Sequence, residues 1–195
     1  QRLQNIFRKL MRFTAFVSFP AMLGLAIVSQ ELIVISITEK WLPCVPVMQI
    51  LCVWGAFMPI STLYSNLMNS IGRPNVYMWN TIALGIFQLL CVWGSYPYGL
   101  NIMLIVYTAA NIFWLLIWHY FAHKHIGISL LNTLKDIAPY LIISVAVMTF
   151  TYWVAGYVKN IYLSFLAKIA LAASLYIFLM WSLKSTVFRE SLQYL

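Results

Sequence analysis

Residues 44–68 read CVPVMQILCVWGAFMPISTLYSNLM, a segment without any Asp, Glu, Lys or Arg. A helix needs about 20 mostly apolar residues to cross the hydrocarbon layer of a bilayer. This segment is long enough, and its apolar positions are continuous rather than alternating, which favours a helix over a barrel strand. We therefore predict that residues 44–68 cross a membrane.

Five further apolar runs flank this segment, and short polar breaks separate them. They comprise residues 13–37, 76–93, 100–121, 137–155 and 161–183. Only 8% of the residues are charged and 63% are hydrophobic, whereas soluble domains carry about 25% charged residues. The sequence therefore predicts an all-α integral membrane protein with about six transmembrane helices and antiparallel neighbours. A water-soluble fold is excluded.

The basic residues, which give the chain a net charge of +8, are concentrated on alternate breaks. Counted by crossings, one side receives most of them, including Arg8, Lys9 and Arg12, while Lys40 and Lys159 fall on the other. Basic residues accumulate on the cytoplasmic side of membrane proteins, so both termini of this segment are expected in the cytoplasm. The charge thus records topology. It predicts contact with membrane lipids and no nucleic-acid partner.

A small and polar stripe runs along the second apolar segment. Its members recur every three or four residues and are Cys52, Gly55, Pro59, Thr62, Asn66 and Asn69. At about 100° per residue they fall within a wedge of about 100°. The stripe either packs helices together, with asparagine as hydrogen-bond donor and acceptor, or lines a water-filled cavity.

Neutral polar residues provide the candidates for a substrate cavity. An interhelical hydrogen bond is the alternative for each of them, because amides offer both donors and acceptors. The six candidates are Thr62, Asn66, Asn69, Asn80, Gln88 and Asn111.

Three charged residues are candidates for other roles. Lys168 lies about two turns inside the sixth run, so its amine either snorkels outward, as an anchor or lipid-phosphate ligand, or faces a cavity. Glu31 is near the outer end of the first run, where it is either an ordinary interfacial carboxylate or a coupling residue for a proton or cation. Arg73 lies in a turn, as a topological anchor or a ligand of a lipid phosphate.

The sequence contains no constellation typical of covalent chemistry. It has four acidic residues and no two in one break, no glycine-rich phosphate loop and no HExxH motif. The cysteine spacings match no metal-ligand pattern. We therefore predict that the protein is not an enzyme and binds no cofactor and no metal.

Several motifs resemble the later helices of the polysaccharide transport family, the Wzx-type lipid-linked oligosaccharide flippases. The motifs are FPAMLGL at 19–25, ELIV at 31–34, TEKWLPCVP at 38–46, QIL at 49–51 and NLMNSIGR at 66–73. This family shares a superfamily with the MATE exporters and the lipid II flippase. The resemblance implies the C-terminal part of a two-lobed fold of about 12 to 14 helices. Residues 1–121 would then form a four-helix part of one lobe, 122–136 a cytoplasmic connection, and 137–195 a trailing helix pair and tail.

The resemblance also implies a function. Such a protein flips undecaprenyl-pyrophosphate-linked oligosaccharide across the bacterial cytoplasmic (inner) membrane by alternating access, for O-antigen, capsule or exopolysaccharide biosynthesis. Its expected partners are the lipid-linked oligosaccharide and the polysaccharide assembly machinery. The alternatives are a MATE-like drug or lipid II exporter, a membrane polysaccharide polymerase or ligase, and a structural membrane subunit.

Overall fold

The computed structural model describes residues 2–156 and 160–182. In these ranges the chain forms seven α-helices: α1 Arg2–Ile27, α2 Ser29–Ser36, α3 Val45–Ser70, α4 Pro74–Ser95, α5 Leu100–Ile126, α6 Leu130–Ala155 and α7 Ile161–Ser182. Helix α2 follows α1 after the single residue Val28. Within the described residues, six segments are long and apolar enough to cross a membrane by length and composition. The prediction of an all-α, multi-span membrane protein is confirmed.

The helices form one continuous bundle in which α1 and α3 are central. Helix α1 packs against α3 and α6, α3 packs against α5, and the outer helices α4 and α7 pack against α5 and α6. The most deeply buried large side chains belong to this bundle and include Met11, Phe19, Ile60, Met68 and Met180. The helix order across the bundle is therefore α4, α5, α3, α1, α6, α7.

Local turn chemistry fixes the reversal between α3 and α4. Gly72 has a φ of 71°, the left-handed region that a residue without Cβ adopts at low cost. Pro74 is the first residue of α4, where its missing N–H would have no helical partner. Arg73, which the sequence predicts in a turn, lies exposed between them.

The first apolar run is divided at Val28. Helix α1 passes through Pro20 without interruption and ends at Ile27, and α2 begins at Ser29. Val28 has φ −96° and ψ 3°, outside the helical basin. Thr38 follows α2 with a φ of 133°, an unusual value for a β-branched residue. The break thus lies away from the proline, where the sequence carries neither Pro nor Gly.

The predicted connection at 122–136 consists mostly of helix ends. Helix α5 extends to Ile126 and α6 begins at Leu130, so the turn itself is short. Gly127 ends α5 with a φ of 73°, and the side-chain amide of Gln4 donates to the carbonyl of Ile126. Polar residues continue both helices beyond the apolar runs because backbone hydrogen bonds do not require an apolar environment. Lys159 and residues 183–195 lie outside the described residues.

Candidate functional site

Three of the six cavity candidates lie together on an exposed side of α3. Thr62, Asn66 and Asn69 follow each other at helical spacing and are all exposed. The Thr62 hydroxyl donates to the Met58 carbonyl at 3.1 Å, so it is satisfied within its own helix. We call these three residues the α3 polar face. The opposite side of the same turns is buried against the bundle, for example by Tyr64 at 2% exposure.

The other half of the predicted stripe serves helix packing. Cys52 is buried, and Gly55 lies against α1. A Cβ added at Gly55 would be 2.1 Å from the Met22 methyl carbon, so a larger residue would push these side chains apart. Small residues allow such close approach between membrane helices. The packing interpretation therefore applies to Cys52 and Gly55, and cavity lining by the α3 polar face stays a prediction.

The remaining three cavity candidates are hydrogen-bonded between α4 and α5. The Trp114 indole N–H donates to Asn80 Oδ1 at 2.7 Å, and Gln88 Nε2 donates to Asn111 Oδ1 at 2.8 Å. Asn111 in turn donates to the Tyr107 carbonyl at 2.8 Å. Asn80 also lines a surface groove of about 550 Å³ between these two helices. These contacts join α4 to α5, and a role of the three residues in a cavity stays a prediction.

Glu31 and Lys168 form an ion pair where α2 meets α7. Lys168 Nζ is 2.5 Å from Glu31 Oε1 and 3.1 Å from the Ile27 carbonyl oxygen, and the Ser164 hydroxyl donates to Glu31 Oε1 at 3.0 Å. Lys168 is 5% exposed and Glu31 7% exposed. In the structure the Lys168 ammonium is paired with the Glu31 carboxylate inside the protein, and this contact compensates its charge. Its assignment as a lipid-phosphate or anchor residue stays a prediction.

Sequence reasoning named both residues but missed that they pair. They are 137 positions apart, so no local spacing connects them. A usable signal was present nonetheless: each lies near the end of an apolar run that the alternating connectivity places on the same side of the membrane. An acid and a base at matching depth in lipid are expected to find each other, since either alone is costly to insert.

A second charged cluster joins α1 to α6 at the other end of the bundle. Asp136 accepts from Arg8 Nε at 2.6 Å and from Arg8 Nη2 at 3.1 Å, and Arg12 Nη1 is 3.7 Å from the same carboxylate. The Asp136 side chain is 6% exposed, whereas the two arginines are about one third exposed. The cluster is thus open to solvent or lipid headgroups on its arginine side.

A lateral groove runs beside the Glu31–Lys168 pair. It has a volume of about 480 Å³ and lies between α7 and the α1–α2 segment. Apart from Lys168 its walls are mainly small and aliphatic side chains, including Gly24, Leu32, Ile169 and Ala172. Among the residues that the structure describes, no three His, Cys, Asp or Glu side chains converge on a possible metal position.

In the part of the chain that the structure describes, six apolar spans and two charged clusters between helices define a multi-pass α-helical membrane protein. Comparison with known sequences adds a biological context. Residues 1–46 match the family model described as polysaccharide biosynthesis protein. The chain is 31% identical over 88 residues to an uncharacterized membrane protein in the cps region of Klebsiella pneumoniae. It is 30% identical over 88 residues to the lipopolysaccharide biosynthesis protein WzxC of Escherichia coli K12.

These similarities are partial. Each covers 45% of this chain and 18% of the relative. No solved structure gives a significant match. The comparisons therefore relate this chain to membrane proteins of polysaccharide biosynthesis, and the activity of a whole protein is a matter of proposal.

Proposed function

We propose that this chain is part of a flippase that moves undecaprenyl-pyrophosphate-linked oligosaccharide across the bacterial cytoplasmic membrane. The observation that carries the proposal is the α3 polar face, which presents Thr62, Asn66 and Asn69 at helical spacing on an exposed side of α3. The similarity to polysaccharide biosynthesis proteins supports it. A transporter is favoured over an enzyme, because the polar groups are neutral hydrogen-bonding groups rather than an acid–base or nucleophile set.

The chemistry of the face fits a glycan. Amide and hydroxyl groups both donate and accept hydrogen bonds, so they can exchange water for sugar hydroxyls at small net cost. A neutral face also allows release, because no ion pair must be broken. In the proposed two-lobed fold, other helices of the longer protein would complete a cavity over this face, and rocking of the lobes would expose it to either side in turn.

The proposed orientation has both termini of this segment in the cytoplasm, as the distribution of basic residues favours. Cysteines placed at Lys40 and Arg73 test it, in a full-length protein whose Cys44, Cys52 and Cys91 are serine. We expect a membrane-impermeant maleimide to label position 40 in intact cells, and position 73 only after permeabilisation. Equal labelling of both positions in intact cells would contradict this topology.

The central experiment measures lipid-linked glycan in each leaflet in a strain lacking the gene. Complementation with the full-length Asn66→Ala/Asn69→Ala variant is expected to lower export about 30-fold, because two hydrogen bonds of about 1 kcal/mol each are lost. The control is Asn101→Ala, an exposed amide at the start of α5 and outside the α3 polar face. Precursor should accumulate in the inner leaflet with the double variant and not with the control.

The same experiment separates the alternatives. Normal export combined with altered polymer length would favour a polymerase or ligase, and normal glycan together with drug sensitivity would favour a drug exporter.

Glu31 is the coupling candidate within the proposal, since it is the buried carboxylate of α2. If an ion gradient drives the flippase through Glu31, the Glu31→Gln variant should still bind the lipid-linked glycan. It should no longer accumulate that glycan in the outer leaflet against its concentration gradient.

A further inference from the structure

Two oxygen atoms contact the Lys168 ammonium where α2 meets α7, and a third contacts one of these two. Glu31 Oε1 and the Ile27 carbonyl oxygen contact Nζ directly, and Ser164 Oγ contacts the same carboxylate oxygen. The Tyr152 ring of α6 covers another side, with its centroid 5.3 Å from Nζ. The charged group is thus held by two helices and a helix end.

The Ile27 carbonyl belongs to the last residue of α1. Carbonyls at a helix C-terminus lack partners within the helix and carry partial negative charge, so they attract cations. The neighbouring Ala26 carbonyl shows the same use of freed acceptors. It accepts from Ser29 Oγ at 2.8 Å and from Gln49 Nε2 at 3.4 Å. The break at Val28 therefore frees the carbonyl oxygens of Ala26 and Ile27, and side chains donate hydrogen bonds to both.

Glu31 retains a free oxygen. Its Oε2 atom is buried and has no hydrogen-bond partner within residues 2–156 and 160–182. A buried carboxylate without a counter-charge is strongly unfavourable, and it must take up a proton or a cation if Lys168 leaves. The Ser164 hydroxyl oxygen also has lone pairs available to a cation.

We propose that the Ile27 carbonyl, the Glu31 carboxylate and the Ser164 hydroxyl form a site for a small monovalent cation such as Na⁺. In this conformation the Lys168 ammonium occupies the site as a tethered cation. Hard cations prefer oxygen ligands, and freed carbonyls at helix ends bind Na⁺ in membrane transporters. Lysine suits the tethered role because it is a compact charge on a flexible stem.

The arrangement ties helix movement to ion occupancy. If α7 moves away from the α1–α2 break, Lys168 withdraws and the carboxylate needs a counter-charge from solution. The 480 Å³ groove, which Lys168 lines, offers space for the withdrawn side chain. This inference concerns a cation site and holds whether or not the protein transports glycans.

The test removes the tethered cation and offers a free one. Full-length protein in detergent carries Lys168→Met, and its melting temperature is measured in sodium chloride and in choline chloride at equal ionic strength. We expect a saturable increase in melting temperature with sodium, because a ligand that binds only the folded state stabilises it. Wild-type protein and the Glu31→Gln/Lys168→Met variant should show no such increase. The control is Lys124→Met, which removes an exposed lysine at the end of α5.

Equal sodium dependence of Lys168→Met and of the double variant would overturn the proposal. If Lys168→Met can be purified only in sodium, while the double variant is stable in both salts, the proposal is supported. If Lys168→Met is unstable in both salts and the double variant is stable in both, the site does not accept a free cation and the proposal fails. Lys168→Ala is measured in parallel and judged by the same outcomes.

Discussion

Where α1 and α2 meet α6 and α7, ion pairs join the helices, whereas the contact between α4 and α5 is made by neutral amides. In the charged half of the bundle, formed by α1, α2, α6 and α7, Lys168 pairs with Glu31 at one end and Arg8 pairs with Asp136 at the other. In the neutral half, formed by α4 and α5, Gln88 donates to Asn111, and the indole N–H of Trp114 donates to Asn80.

The difference lies in what happens when one partner is lost. An amide without its partner inside a membrane can turn to a backbone group or to water, so its loss has a modest cost. An ion without its partner must be neutralised or hydrated, at a much larger cost. A proton or cation that replaces one partner can therefore separate helices held by an ion pair. Helices held by amide hydrogen bonds do not respond to either. The ion-paired contacts are therefore suited to change during a conformational transition, and the amide contacts are suited to stay intact.

The largest effect on stability is expected from Lys168→Met measured without sodium. The change leaves Glu31 buried without its counter-ion, and breaking such a pair costs about 3 kcal/mol. The loss of stability is measured by thermal scanning of the full-length protein in detergent and choline chloride. Glu31→Gln in the same chain should recover most of the loss; a double variant as unstable as the single one would show that packing, not charge, explains the effect.

A smaller effect is expected from Asp136→Asn. The two α1 arginines that contact Asp136 are about one third exposed and keep most of their hydration, so the loss should be about 1 kcal/mol. It should decrease at high salt because exposed charges are screened. Glu39→Gln, at an exposed acid between α2 and α3, is the matched control and should change little. A loss equal to that of Lys168→Met would remove the distinction between the two ion-paired contacts.

The amide contact between α4 and α5 should show a weak coupling that is independent of salt. A double-mutant cycle with Gln88→Ala and Asn111→Ala is expected to give a coupling energy of about 0.6 kcal/mol, typical of hydrogen bonds between membrane helices. Thermal scans of the four proteins at two salt concentrations provide the measurement. A coupling as large as that between Glu31 and Lys168 would contradict the comparison.

The smallest effect on stability is expected at the α3 polar face. Asn66→Ala and Asn69→Ala remove exposed side chains, so each should change the free energy of unfolding by no more than about 0.5 kcal/mol. The proposed loss of export would then come without a loss of folded protein, which a membrane-extract melting curve checks. Marked destabilisation would indicate that these amides pack against another part of the protein.

The spans and the α3–α4 turn could be predicted because their causes are local. Bilayer thickness sets the length of an apolar helix, and Gly72 and Pro74 each act on their own backbone. The break at Val28 could not be predicted, since neither Pro nor Gly lies there and Pro20 is accommodated within α1.

The candidate site was only partly predictable for a related reason. Thr62, Asn66 and Asn69 share a helix face whatever surrounds them, and that much follows from spacing. Whether an amide such as Gln88 or Asn111 faces a partner or a cavity depends on which helix packs beside it. Sequence spacing does not contain that information. The Glu31–Lys168 pair differs, because the alternating connectivity places both residues on the same side of the membrane.

The contact between Gly55 and Met22 has a consequence for substitutions at position 55. With the methyl of Met22 only 2.1 Å from where a Cβ of residue 55 would lie, the two positions compete for one volume. Alanine or serine at position 55 therefore requires the Met22 methyl to move, either by a rotation of the flexible methionine chain or by a shorter residue at position 22. Helix α1 can thus accept a larger residue in α3 by adjusting one flexible side chain, without a shift of either backbone.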